Sequence, residues 1–185
     1  VGAGLGGGSS NIATILKYLC SKNLIEYKDA LITARELGSD IEFFFDESPA
    51  IIVGKGNIHQ RIKAFKKLYI LLVYPNFMLS TQKTYEMNSQ FDDKSSFSID
   101  QKVYDFDIIM KSSSNSLQDA AVKLCPDIKI IIDELSSTDG SLYSRMTGSG
   151  SCCFAVFNEK DLAQEALNTL KSNHSNWWFH LSRII

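Results

Sequence analysis

Apolar positions recur along the chain in two rhythms. A spacing near 3.6 residues predicts a helix over Ile12–Leu19 and a second over Leu24–Leu37, where Leu24, Tyr27, Ala30, Leu31, Ala34 and Leu37 share a face. Ser21-Lys22-Asn23 separates them, and Gly38 is placed to end the second as a left-handed cap. Shorter apolar runs predict strands at Ile41–Phe45, Ala50–Val53 and Leu68–Val73, the last continuous enough to be buried on both faces. Ser80 or Thr81 is placed to cap a short helix ending at Met87, and Asn115 or Ser116 one over Leu117–Leu124. Pro126 opens another over Asp127–Leu135. Thr138-Asp139-Gly140 reads as a turn, Leu142–Met146 and Cys152–Phe157 as strands, Glu159–Lys171 as an amphipathic helix and Trp177–Ile185 as a terminal strand. The serine-rich stretch from about Asn88 to Gln101 is expected to be a mobile loop, and Asp105–Met110 fits neither rhythm cleanly. Strands and helices come in runs that suit antiparallel pairing, so the fold class is α+β and not a doubly wound parallel sheet.

Composition narrows this picture. The 185 residues suffice for one domain, or for a large and a small lobe. A net charge of −2 argues against a nucleic-acid partner. Cys20, Cys125, Cys152 and Cys153 show no C-x-x-C spacing and read as reduced thiols of a cytoplasmic protein. No apolar run has membrane-spanning length, so no membrane partner is expected. His59, His174 and His180 lack metal-ligand spacing; Trp177-Trp178-Phe179 reads as core, and Lys63, Lys66 and Lys67 as a solvated face.

Candidate chemistry begins at the first residue. Val1-Gly2-Ala3-Gly4-Leu5-Gly6-Gly7-Gly8-Ser9-Ser10-Asn11 packs five glycines into seven residues and runs straight into the first predicted helix. Such a chain can turn its backbone N–H groups toward an anion. Ser9, Ser10 or Asn11 can cap the helix, whose positive end then faces the same anion. A flexible linker would not lead directly into a capped apolar helix. Gly2, Gly4 and Gly7 also satisfy G-x-G-x-x-G, but a dinucleotide turn requires a second strand near Glu26 or Asp29, where the periodicity is helical. No Lys followed by Ser or Thr closes a Walker A loop. Asp40 sits where a carboxylate could take a proton from a substrate hydroxyl, or could simply cap a turn. Gly148-Ser149-Gly150-Ser151, between two strands, is either a hairpin turn or a second backbone surface pressed on the first loop or on its ligand.

Taken together, the three stretches resemble the motifs of the GHMP kinase superfamily. Gly2–Asn11 is similar to its phosphate loop, Leu37-Gly38-Ser39-Asp40-Ile41 to its second motif, and Arg145–Ala155 to its third, glycine-rich motif. The arrangement resembles most the branch that acts on 4-diphosphocytidyl-2-C-methyl-D-erythritol, more than homoserine or mevalonate kinases. The resemblance implies a two-lobed α+β fold, with residues 1–55 as the remainder of an N-terminal lobe and 56–185 as a C-terminal domain. It implies ATP, Mg²⁺ and phosphoryl transfer to a hydroxyl of that small molecule, in non-mevalonate isoprenoid biosynthesis. Val1, Gly2, Ala3, Gly4, Leu5, Gly6, Gly7, Gly8, Ser9 and Ser10 would form the nucleotide loop, with Gly4 to Ser10 cradling the triphosphate. Asp40 would be the catalytic base; no metal ligand is assigned. Three departures stand out. The family's Lys partner to the Asp precedes the loop and has no counterpart in these residues; Glu42 replaces a common proline; Ser116 and Gln118 replace an acidic pair. A chain that opens on the loop is expected to have lost the preceding part of its lobe and, without that Lys, to be a weakly active or inactive form. A noncatalytic nucleotide-binding remnant and another GHMP-type kinase are the alternatives.

Overall fold

Gly6 takes a left-handed conformation (φ 65°), and the chain turns there into helix α1, Gly7–Ser21. The helix therefore starts before its apolar stripe, and Ser9, Ser10 and Asn11 lie inside it and do not cap it; no side chain caps this end. Helix α2, Tyr27–Leu37, follows an extended Glu26. Gly38 ends it in extended backbone (φ 173°), not the expected left-handed cap, with its N–H donating to Ala34 O at 3.1 Å. Ala13, Ala30 and Ala34 are fully buried between the helices; residues this small let the backbones approach closely, and Leu16, Ile41 and Phe45 complete the cluster.

The expected strand over Ile41–Phe45 is instead a 3-10 turn, Glu42–Phe45. Its buried residues, Ile41 and Phe45, stand four apart on one helical face, and Ile41 N–H and Phe44 N–H bond to carbonyls three residues back. Strand β1, Ala50–Val53, pairs antiparallel with β2, Asn57–Arg61. Arg61 ties this hairpin to the turn, donating to Phe43 O at 2.9 Å and Ser48 O at 2.7 Å.

The computed structural model describes residues 3–46, 48–54, 56–61, 67–88, 109–110 and 113–184. By packing, these elements form one compact unit, Gly6–Ala64, and Val1–Leu5 with Phe65–Ile185 form a second. A boundary at 55/56 would cut the β1–β2 hairpin, so the packing division falls after it.

In the second unit, strands β3 (Leu68–Tyr74), β4 (Ser141–Met146), β5 (Cys153–Phe157) and β6 (Trp178–Ile184) form an antiparallel sheet in the order β4-β5-β3-β6. Four further helices accompany it among the described residues: α3 (Thr81–Met87, capped by Ser80), α4 (Gln118–Leu124), α5 (Asp127–Ser136) and α6 (Lys160–Asn173). Leu71 and Val73 of β3, Ala155 and Phe157 of β5, Ile128, Ile131 and Leu135 of α5, and Ala163 and Leu170 of α6 build the core. Each buried Leu or Ile contributes about 1.5–3 kcal/mol. β3 is buried at Leu68, Leu71 and Val73 and only half-buried between them, so it is not covered equally on both faces. The antiparallel sheet and the helix after Glu26 exclude the dinucleotide fold.

Trp177 is buried beneath His174, with ring centroids 3.6 Å apart, whereas Trp178 is exposed. His174 Nε2 meets Glu134 Oε2 at 2.8 Å, a structural role. The expected loop beyond residue 88, residues 105–108 of the ambiguous stretch, Lys63 and Lys66 lie outside the described residues. No helix among the described residues is long and apolar enough to cross a membrane.

Candidate active site

The glycine run divides between the two units. Val1 and Gly2 lie outside the described residues. Ala3 and Gly4 are held by the second glycine loop: Cys152 N–H donates to Ala3 O at 3.3 Å and the Thr147 hydroxyl to Gly4 O at 3.0 Å. Gly4 has φ 72°, and a Cβ there would come within 2.2 Å of Thr147 O; a Cβ on Gly148 would meet Gly4 O at 3.0 Å. The two loops therefore touch backbone to backbone, the arrangement expected for the second glycine stretch in its functional reading.

Gly6 belongs to the first unit and lies against Phe44 of the 3-10 turn; a Cβ on it would sit 2.8 Å from the ring. Gly7 and Gly8 differ from the others. They are exposed and helical, and a Cβ on either would meet nothing within 4 Å. Ser10 N–H already donates to Gly6 O, which leaves the N–H groups of Gly7, Gly8 and Ser9 without a partner in the α1 ladder. Among the described residues no side chain caps the positive end of this 15-residue helix.

Asp40 is exposed in the turn between α2 and the 3-10 turn. The Ser39 hydroxyl donates to Asp40 Oδ1 at 3.1 Å. The turn is held from several sides. Ile41 is buried next to it, and Gly56 in the hairpin packs so closely on Ser39 that a Cβ would lie 2.6 Å from Ser39 Cβ. Glu42 accepts two bonds from the Arg35 guanidinium at 2.7 and 2.6 Å, which hold its carboxyl below the usual carboxylate range. Since α1 packs on the 3-10 turn through Gly6 and Phe44, the start of this helix and the Asp40 segment belong to one packed unit.

The second loop has supports that sequence reading missed. Asn115 Nδ2 donates to Met146 O at 3.0 Å and Gly148 O at 2.9 Å, and Asn115 Oδ1 accepts Leu117 N–H at 3.0 Å. Gln118 Oε1 accepts Met146 N–H at 3.0 Å, and Thr81 and Ser149 share a hydroxyl bond of 2.9 Å. Fully buried Ser151 donates to Phe77 O. Apart from Asn115 and Leu117, these partners lie about thirty residues or more apart, and no local signal pairs them. Behind the loop, burial pushes the Cys152 thiol up to about 11 and raises Cys153 and Cys125 as well, so none of the three suits a nucleophile. A polar cavity of about 520 Å³ adjoins Asn115, Gln118 and Arg145. Among the described residues, no group of three or more His, Cys, Asp or Glu could hold a metal ion.

Known proteins are similar to this chain. The family model described as GHMP kinases C terminal matches residues 101–176. The chain is 32% identical, over its whole length, to a 4-diphosphocytidyl-2-C-methyl-D-erythritol kinase from Anaplasma phagocytophilum, of which it covers 63%. It is also 32% identical over 99% of its length to the enzyme of that name from Pelagibacter ubique, covering 65% of it. The chain is thus similar to GHMP kinases over residues 101–176 and to these two kinases along nearly its whole length. A crystal structure of 4-(cytidine 5'-diphospho)-2C-methyl-D-erythritol kinase matches 97% of this chain and 66% of its own, with a TM-score of 0.77 and 26% identity. A homoserine kinase from Cytophaga hutchinsonii, 15% identical with a TM-score of 0.70 over 100% of this chain and 66% of its own, shares the fold. The chain spans a little under two thirds of the curated relatives it matches.

Proposed function

We propose that the whole protein is a cytoplasmic small-molecule kinase. It would transfer the γ-phosphoryl group of ATP, as the Mg²⁺ complex, to a hydroxyl of 4-diphosphocytidyl-2-C-methyl-D-erythritol in non-mevalonate isoprenoid precursor synthesis. The observation that carries this reading is the start of α1, where a Cβ on Gly7 or Gly8 would meet nothing within 4 Å and, among the described residues, no side chain caps the helix. Nothing in the protein's own packing calls for glycine there, and a phosphate chain does. On this reading residues 1–10, with Gly4 to Ser10 at the triphosphate, form the nucleotide loop. Residues 1–55 would be the remainder of the N-terminal lobe and 56–185 the C-terminal domain.

ATP supplies the phosphoryl group, and phosphoryl transfer needs mostly positioning and charge stabilisation from the protein. The N–H groups of Gly7, Gly8 and Ser9 supply donors aimed at phosphate oxygens. Exposed Asp40, oriented by Ser39, takes or orients the proton of the accepting hydroxyl. Mg²⁺ keeps water and phosphate ligands, so the reading needs no cluster of protein carboxylates.

The test is ADP release by the full-length protein supplied with ATP, Mg²⁺ and the cytidyl-erythritol substrate. Asp40→Asn should lower kcat about 10²–10⁴-fold and leave ATP affinity unchanged. Unchanged turnover would remove the base assignment. An unmodified protein that binds ATP and releases no ADP with this substrate would remove the kinase reading.

A further inference from the structure

Among the described residues strand β4 lies at the edge of the sheet, and its last residue, Met146, stands opposite Cys153. The next residue, Thr147, donates to Cys152 O at 2.9 Å. By the alternation of an antiparallel ladder, Met146 N–H and C=O therefore point away from β5, toward the open side of the sheet. Unpaired edge groups of this kind normally leave the strand end free to fray. Here two side-chain amides bond these groups. Gln118 Oε1 accepts Met146 N–H, and Asn115 Nδ2 donates to Met146 O and, one step further, to Gly148 O.

Asn115 uses its whole hydrogen-bonding capacity on the donor side: two N–H groups meet two carbonyls, while its oxygen accepts Leu117 N–H. The Leu117 bond settles which way the amide faces, because the reversed amide would set an oxygen against two carbonyls. Gly148, held in this way at φ 53°, lies against Gly4 with no side chain between them, and Thr147 bonds Gly4 O. Gly4 is two residues from Gly6, where α1 begins.

We propose that Asn115 and Gln118 are positioning residues for the nucleotide loop. Together they hold the exit of β4 so that Thr147 and Gly148 seat Gly4, the part of that loop that packs in the same unit as β4. Neither touches the reacting atoms. The proposal rests on the reading of that loop as an ATP site and names two residues that tune it from outside.

The experiment uses steady-state kinetics and hydrogen exchange on the full-length protein. Asn115→Asp puts a carboxylate oxygen against two carbonyls, and Gln118→Leu removes the acceptor at similar size. Each is expected to raise the KM for ATP about tenfold, the worth of one or two lost hydrogen bonds, with kcat within about threefold and the KM for the phosphate acceptor unmoved. Gln118→Glu keeps an acceptor and should behave as the parent. Without any nucleotide, the amides of Gly150 and Cys152, which bond to Thr147 O and Ala3 O, should exchange about tenfold faster in the first two variants, while core-strand amides do not change. Parental KM and parental exchange in both variants would overturn the proposal. If Asn115→Asp does not fold, equal KM values for Gln118→Leu and Gln118→Glu overturn it. If the parent protein does not bind ATP, the kinase reading fails, and the exchange comparison still decides whether the amide pair holds the loop.

Discussion

Replacing Gly8 by alanine should strengthen the fold and weaken nucleotide binding. Gly8 is helical, exposed and surrounded by empty space, so the added methyl costs nothing sterically. Alanine is better than glycine in a helix by about 1 kcal/mol, and part of that gain comes from a less flexible unfolded chain. At the first turn, where fewer helix contacts are at stake, the expected gain is roughly 0.5–1 kcal/mol, a rise in Tm of about 1–4 °C for a chain of this size. If phosphate lies against the same backbone, the methyl overpacks that contact by about 1–3 kcal/mol, which is roughly a 5- to 150-fold loss of affinity. Thermal unfolding without ligand and calorimetric titration with a non-hydrolysable ATP analogue measure the two effects on one variant. Gly7→Ala should repeat both signs. A variant that gains stability and keeps its ATP affinity would refute the argument, because the open space would then belong to solvent and not to phosphate. A variant that loses stability would show that the space is not open.

The opposite sign is expected at Gly4: Gly4→Ala takes on a left-handed backbone cost of about 1–2 kcal/mol, and its Cβ would fall 2.2 Å from Thr147 O, so the urea midpoint should drop. Glu42 should make stability depend on pH. The Arg35 hydrogen bond depresses its folded pKa, so its contribution is present above the unfolded carboxylate value, about 4.3, and is lost as pH falls through the lower folded value. The stability gap between the parent and Glu42→Gln, followed by urea midpoints, should therefore be full at neutral pH and close below about pH 4. Thiol titration at pH 8 should find Cys20 reactive and Cys125, Cys152 and Cys153 silent until denaturant is added, since burial both shields these three and raises their pKa. Two or more fast thiols in the native protein would contradict that.

The parts of the fold legible in the sequence were those with a long, regular rhythm. The amphipathic stripes of α2 and α6, the apolar run of β3 and the proline that opens α5 carry enough repeats to decide their own type. Ile41–Phe45 is too short for that: five largely apolar residues suit a strand or one helical face equally, and burial of Ile41 with Phe45 decided it. β2, Asn57–Arg61, lacks apolar alternation and is defined by its pairing with β1. The start of α1 was misplaced because glycine has poor helix propensity, so Gly7 and Gly8 read as loop. At the site, the mutual pressing of the two glycine loops was expressible from sequence, because both are chains without side chains. The amide pair beneath them was not, since Asn115 and Met146 are 31 residues apart and only the folded sheet edge gives them a reason to meet.

The glycine run illustrates a wider point about reading such loops. Counted in the sequence, its glycines look equivalent, and all of them fit a phosphate cradle. In the folded chain they separate by what excludes a side chain. At Gly4 it is the backbone of Thr147; at Gly6 it is the left-handed turn into α1 and the Phe44 ring. Those two would be glycine in a protein that bound nothing. Gly7 and Gly8 are left over, with permissive backbone, open space and a helix-propensity cost of about 1 kcal/mol each that no internal contact offsets. A costly residue that packing does not require is best explained by something outside the chain that does require it. On the proposed reading that is an anion at the start of α1, and the Asp40 segment packed in the same unit would let phosphoryl transfer use both.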